Sequence, residues 1–195
     1  MVKGIYVPAY DGNALEARDF NDWRDYDAAV GGLFEAVDVP ALGITVFVNE
    51  EGLIRRMRFN SRATFLWWYH VPRSRSEMLV GDTVIVGEAD AGGASTNIPE
   101  ATLELLMREQ EYEIEIVIRG VAARHMEPNS TLSQAVLPLV AGDPTRLVST
   151  ARYGDYFVAM AWASTLRERW PDVEAVRVFP RREAAPTSDW RMSQL

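Results

Sequence analysis

The sequence predicts an α+β protein, with a mixed, largely antiparallel sheet, helices packed on one side, and a helix–strand pair at the end. Three observations carry this expectation. Residues 111–119, EYEIEIVIR, place Tyr112, Ile114, Ile116 and Ile118 on one face and Glu111, Glu113 and Glu115 on the other, the period-two signature of a half-buried strand. Two apolar runs, 33–39 and 44–49, are joined through Pro40 and Gly43, as in an antiparallel hairpin. Near the end, a stretch opened by Asp155 repeats Val158, Trp162, Leu166 and Trp170 at four-residue spacing, and β-branched residues follow from Val173 to Phe179.

The remaining elements follow in order. Lys3–Pro8 forms a short first strand closed by Asp11-Gly12-Asn13. Residues 14–30 read as a helix with Leu15, Phe20, Trp23 and Val30 as apolar contacts, stopped by Gly31-Gly32. Glu50-Glu51-Gly52 turns the chain into a strand at 53–59. Residues 62–70 read as a strand apolar on both faces, which implies burial on both sides or an interface. Gly81-Asp82 leads into a strand at 83–86, and Pro99 opens a helix to about Arg108. Thr131 with Gln134 suggests a capped helix kept short by Pro138, and Asp143-Pro144 suggests another brief helix. The organisation expected is 1–97, 98–180 packed against it, and a loose polar tail at 181–195.

Composition narrows the classes of function. A chain of 195 residues, 48% hydrophobic, can bury a proper core. It has no cysteine, so disulfides, thiolate catalysis and Cys-ligated metals are excluded, which suits a reducing cytoplasm. The first residues lack the apolar centre of a signal peptide, and no apolar run approaches the ~20 residues that span a bilayer. A net charge of −8 disfavours broad coating of nucleic acid. Neither glycine pair, at 31–32 or 92–93, has phosphate-loop spacing. His70 and His125 are the only histidines and stand in unlike contexts; His125 beside Glu127 suits a loop pair better than a ligand set. No nucleophile elbow is present. No catalytic residue, metal or cofactor is expected, and nothing in the sequence sets the oligomeric state.

The runs AVGGLFEAV (29–37), VNEEGLIRRMRFNSRAT (48–64) and GDTVIVGEADAGG (81–93) carry a resemblance. With Val30-Gly31-Gly32 and Glu35, Asn49-Glu50-Glu51-Gly52 and Asn60, and the strand from Gly81 to Gly87, residues 1–97 resemble the family called domain of unknown function 3846. That resemblance implies an accessory protein of phage, plasmid or other mobile-element origin, working in the host cytoplasm, with no established activity. Physically, the glycines permit tight reversals and Asn60 can tie a loop through side-chain to backbone bonds.

One segment stands apart from the acidic remainder. Residues 55–75, RRMRFNSRATFLWWYHVPRSR, hold six arginines and no acid, contributing +6 and leaving −14 elsewhere. One reading makes Arg55, Arg56, Arg58, Asn60, Arg62, Trp67, Trp68, His70, Arg73 and Arg75 a binding surface on which guanidinium groups and rings meet a nucleotide-like ligand, a nucleic acid or a host protein. In the other, the rings are core and the arginines pair with acids such as Glu111, Glu113 and Glu115. The function expected is a non-catalytic accessory binding protein. The alternatives are a small Mg²⁺-dependent hydrolase or transferase acting on nucleotides, and an acidic mimic of DNA.

Overall fold

In a computed structural model that describes residues 1–119, 136–140 and 143–181, the described residues form two antiparallel sheets and four α-helices. The first sheet has the strand order β2-β1-β5-β4-β3, from strands β1 (Val2–Val7), β2 (Glu16–Phe20), β3 (Phe34–Val39), β4 (Ile44–Asn49) and β5 (Thr83–Ala89). The short β6 (Ser95–Thr96) pairs with the end of β5. The second sheet has the order β10-β7-β9-β8, from β7 (Tyr112–Ile118), β8 (Val136–Val140), β9 (Asp143–Ser149) and β10 (Val173–Pro180).

The expected α+β class holds, including the β3–β4 hairpin and the closing helix–strand pair, α4 (Tyr156–Arg169) followed by β10. Side-chain alternation divides the first sheet. On one face Phe47, Val84 and Val86 meet Tyr26 and Val30 of α1 (Trp23–Val30). On the other, Ile5, Val7, Ile44, Val46 and Ile85 join α2 (Ser61–His70), α3 (Glu100–Met107), α4 and the second sheet in one continuous core. Tyr112, Ile114 and Ile116 are fully buried there, as their alternation requires. No helix among the described residues is long and apolar enough to cross a membrane.

Several elements differ from expectation. Residues 14–30 are not one helix: Glu16–Phe20 pairs with β1, and α1 starts only where the Asp22 side chain accepts a bond from Arg24 N. Gly31 then ends it at φ 80°, the left-handed conformation glycine adopts without a Cβ penalty. Residues 50–56 form a turn rather than the start of a strand, with Arg56 at φ 54°, and only Phe59 bridges to Val80. The stretch expected as a strand at 62–70 is the helix α2. Asn60 caps it, its side chain accepting from Ala63 N at 3.0 Å.

Asp143-Pro144 opens β9 rather than a helix, and Pro138 lies in β8, an edge strand, the setting in which a sheet accepts proline. Thr131, Gln134, His125, Glu127 and the tail beyond Arg181 lie outside the described residues. The four-residue stripe of α4 is core only in its second half, where Leu166 is buried and Trp170 packs against the core. Val158 and Trp162 are exposed, and burial falls on Tyr156, Phe157, Ala159, Met160, Ala163 and Leu166.

Candidate functional site

Loop 8–13 leaves β1 and is fixed from two sides. Asp82, at the start of β5, accepts Ala9 N at 2.8 Å on one oxygen and the Tyr6 hydroxyl at 2.5 Å on the other. Arg62, from the first turn of α2, donates to Asp11 O at 2.7 Å and Asn13 O at 2.8 Å, and Ser61 Oγ reaches Asp11 at 2.6 Å. Asn60 is wholly buried beneath them and donates to Val7 O at 3.1 Å and Gly81 O at 3.0 Å. One amide thus caps α2 and ties it to both flanking strands.

Between this loop, the end of α1 and the segment around Arg58 lies a groove of about 600 Å³. Ala28, Ala29 and Val30 give it an apolar wall, and Gly31 and Gly81 contribute backbone. Two cation–ring stacks face into it. The Arg18 guanidinium lies 3.8 Å over the Tyr6 ring and that of Arg58 4.8 Å over Tyr10. Arg18 also bonds Glu16, at 2.7 and 2.9 Å, so its charge is shared. Arg58 has no carboxylate partner among the described residues. Burial, reinforced by the bond to Asp82, pushes the Tyr6 hydroxyl up to about 12. It stays a neutral donor, and the one carboxylate lining the groove has both oxygens occupied.

The ten residues singled out in the sequence do not form one surface. Arg58 reaches the groove. Arg55 stands beside it, donating to Gly31 O at 2.6 Å, and Arg56 is exposed on the neighbouring turn. Arg62 and Asn60 hold the loop behind. Arg73 and Arg75 lie past the far end of α2, a ten-residue helix about 15 Å long. Arg75 approaches Glu168 at 4.0 Å. Trp67 packs on the core, and Trp68 donates to Glu77 O at 2.7 Å while meeting Phe65 edge-on. His70 is half-buried against α4, its Nε2 3.2 Å from the Tyr156 hydroxyl, and burial lowers its pKa to about 4. Tyr69 likewise serves structure, accepting Val178 N at 2.9 Å.

The expected pairing of these arginines with Glu111, Glu113 and Glu115 does not occur. That acidic row is matched by its own sheet. Glu115, almost buried, contacts Arg146 and Arg177, while Arg181 reaches Glu111 at 2.6 Å and Glu113 at 3.4 Å, with Arg152 3.8 Å from Glu111. Among the described residues no group of three His, Cys, Asp or Glu could hold a metal ion. Tyr6, Tyr10, Arg18 and Asp82 went unmarked in the sequence. Only Asp82 carried a signal, as the residue after Gly81 at the head of the expected strand.

Comparison with curated proteins and with solved structures returns no match. The sequence profile described as "Domain of unknown function (DUF3846)" matches residues 4–111, from β1 through α3. Every residue of the groove lies within that span, whereas α4 and all of the second sheet lie beyond it. The match extends past residue 97, where the region of resemblance read from the sequence stops, and takes in more than half of the chain, which therefore belongs to this family.

Proposed function

We propose that this chain is a non-catalytic accessory protein of phage type that binds a nucleotide-like ligand in the groove between loop 8–13 and α1. The observation that carries the reading is the pair of guanidinium–tyrosine stacks facing one groove. Stacking leaves the edge of the Arg58 guanidinium, which has no carboxylate partner among the described residues, open to phosphate oxygens, and its outer face or the exposed Tyr10 ring can receive a base. A volume of about 600 Å³ suits a single nucleotide.

A catalytic role is less well supported. Asp82 is committed to Tyr6 and Ala9, and a tyrosine raised to about 12 is a poor base near neutral pH. The neutralised row on β7 also weakens the reading as a mimic of DNA, which needs a run of free carboxylates.

Calorimetric titration with AMP, GMP, adenosine and inorganic phosphate tests the proposal. The nucleotides should bind more tightly than either fragment alone. Arg58→Ala should weaken them roughly tenfold or more, as expected for a lost charge-assisted bond. Arg73→Ala, at the far end of α2, should change nothing. If no nucleotide binds at millimolar concentration, or Arg58→Ala binds like wild type, the proposal is wrong.

A further inference from the structure

The end of α1 that walls the nucleotide groove leaves part of its backbone open. The last four carbonyls of an α-helix have no partner within it and must find one outside. In α1 these belong to Asp27, Ala28, Ala29 and Val30. Asp27 O accepts Gly31 N at 2.9 Å and Gly32 N at 2.8 Å, and Val30 O accepts Asn49 Nδ2 at 3.3 Å. The next carbonyl, that of Gly31, takes Arg55 Nη1 at 2.6 Å. Ala28 O and Ala29 O accept from no group among the described residues, and both residues line the groove.

The two ends of the groove therefore differ in charge. The C-terminal end of a helix carries partial negative charge, and α1 has no basic residue in its last turn to offset it. The guanidinium groups of Arg18 and Arg58 lie instead over Tyr6 and Tyr10, on β1 and the loop that follows it. A phosphate is drawn to these cations, above all to Arg58, and repelled by the helix end. A nucleotide held by its phosphate at Arg58 thus turns its base along the apolar wall toward Ala28 and Ala29.

We infer that the groove selects a base bearing an exocyclic amino group, as in adenine and cytosine, over one with a carbonyl oxygen in its place, as in hypoxanthine and uracil. This rests on the nucleotide reading above and adds which edge of the base is recognised. A conjugated amino group offers two N–H donors and no acceptor, which matches two adjacent open carbonyls. A carbonyl at the same ring position sets oxygen against oxygen and leaves both acceptors unmet.

Calorimetric titration of the protein with AMP against IMP, and with CMP against UMP, tests the selection. Each pair shares its sugar and phosphate, so the ratio of affinities isolates the exchange of amino for carbonyl. AMP should bind roughly tenfold more tightly than IMP, and CMP than UMP by a similar factor, as for one neutral hydrogen bond replaced by an unmet acceptor. In ¹³C-labelled protein the carbonyl resonances of Ala28 and Ala29 should shift with AMP and stay in place with IMP. Ala28→Lys sets an ammonium beside these carbonyls, at the end of a helix that favours a cation, and should bring each ratio within about threefold without loss of stability. Equal affinities within either pair overturn the inference and leave the nucleotide reading standing. An amino preference that Ala28→Lys leaves unchanged also overturns it. Binding by none of the four nucleotides overturns both.

Discussion

Replacing Asn60 with alanine should destabilise the fold more than almost any other single polar change. The side chain has no exposed surface and makes three bonds: it accepts from Ala63 N at 3.0 Å and donates to Val7 O and Gly81 O at 3.1 and 3.0 Å. Loss of the cap costs about 1 kcal/mol. Each donated bond contributes about 1 kcal/mol, and a carbonyl left buried without a partner adds to that. Together these give roughly 3 to 4 kcal/mol, a large share of the 5–15 kcal/mol typical of a whole domain. Asn60→Asp separates the contributions. It keeps the cap but sets a carboxylate against two carbonyl oxygens, so it should be no more stable than Asn60→Ala at pH 7. Relative to wild type it should recover as the pH falls and the carboxyl is protonated. Urea denaturation followed by circular dichroism measures both. A loss under about 1 kcal/mol for Asn60→Ala, or a wild-type midpoint for Asn60→Asp at pH 7, would refute the three-bond assignment.

Other outcomes follow from the same structure. His70 titrates near 4 when folded and near 6.5 when unfolded, so its neutral form is favoured by folding. Its contribution is full above about pH 6.5 and declines between there and pH 4, by no more than roughly 3 kcal/mol; His70→Gln should flatten that part of the stability–pH curve. A methyl group on Gly87 would fall well inside contact distance of Asn97 O and Thr96 Oγ1, so Gly87→Ala should cost about 1–3 kcal/mol in thermal or urea unfolding. In α4, Trp162→Ala should change stability by under about 0.5 kcal/mol, because the ring is 52% exposed. Leu166→Ala, one turn on and buried, should cost about 2–5 kcal/mol.

That contrast within α4 shows how far periodicity could be read. A four-residue step turns about 40° past a full helical turn, so three steps drift about 120°. Val158 and Trp162 therefore face solvent while Leu166 faces the core. Strand alternation has no such drift, and Tyr112 to Ile118 were legible residue by residue. The aromatic block failed for a different reason. Residues 65–69 are bulky and apolar at every position, so neither period stands out; the informative residue was Asn60, a helix cap placed before a run free of glycine and proline. Glu16–Phe20 has a helix-former composition, and only its pairing partner Val2–Tyr6 makes it a strand. The groove was least legible of all. Tyr6, Tyr10, Arg18, Arg58 and Asp82 are separated by up to 76 positions, and only the strand pairing of β1 together with the loop bonds to Asp82 and Arg58 O brings them to one groove.

Mapping ¹H–¹⁵N shifts during titration with AMP is the most direct test of the groove. Binding there should move the amides of Tyr10, Asn13, Gly31, Arg58 and Asp82 in the wild type, with the same shifts lost in Arg58→Ala while the rest of the spectrum stays unchanged. Shifts that are absent, or that gather along α4 and β7, would contradict it.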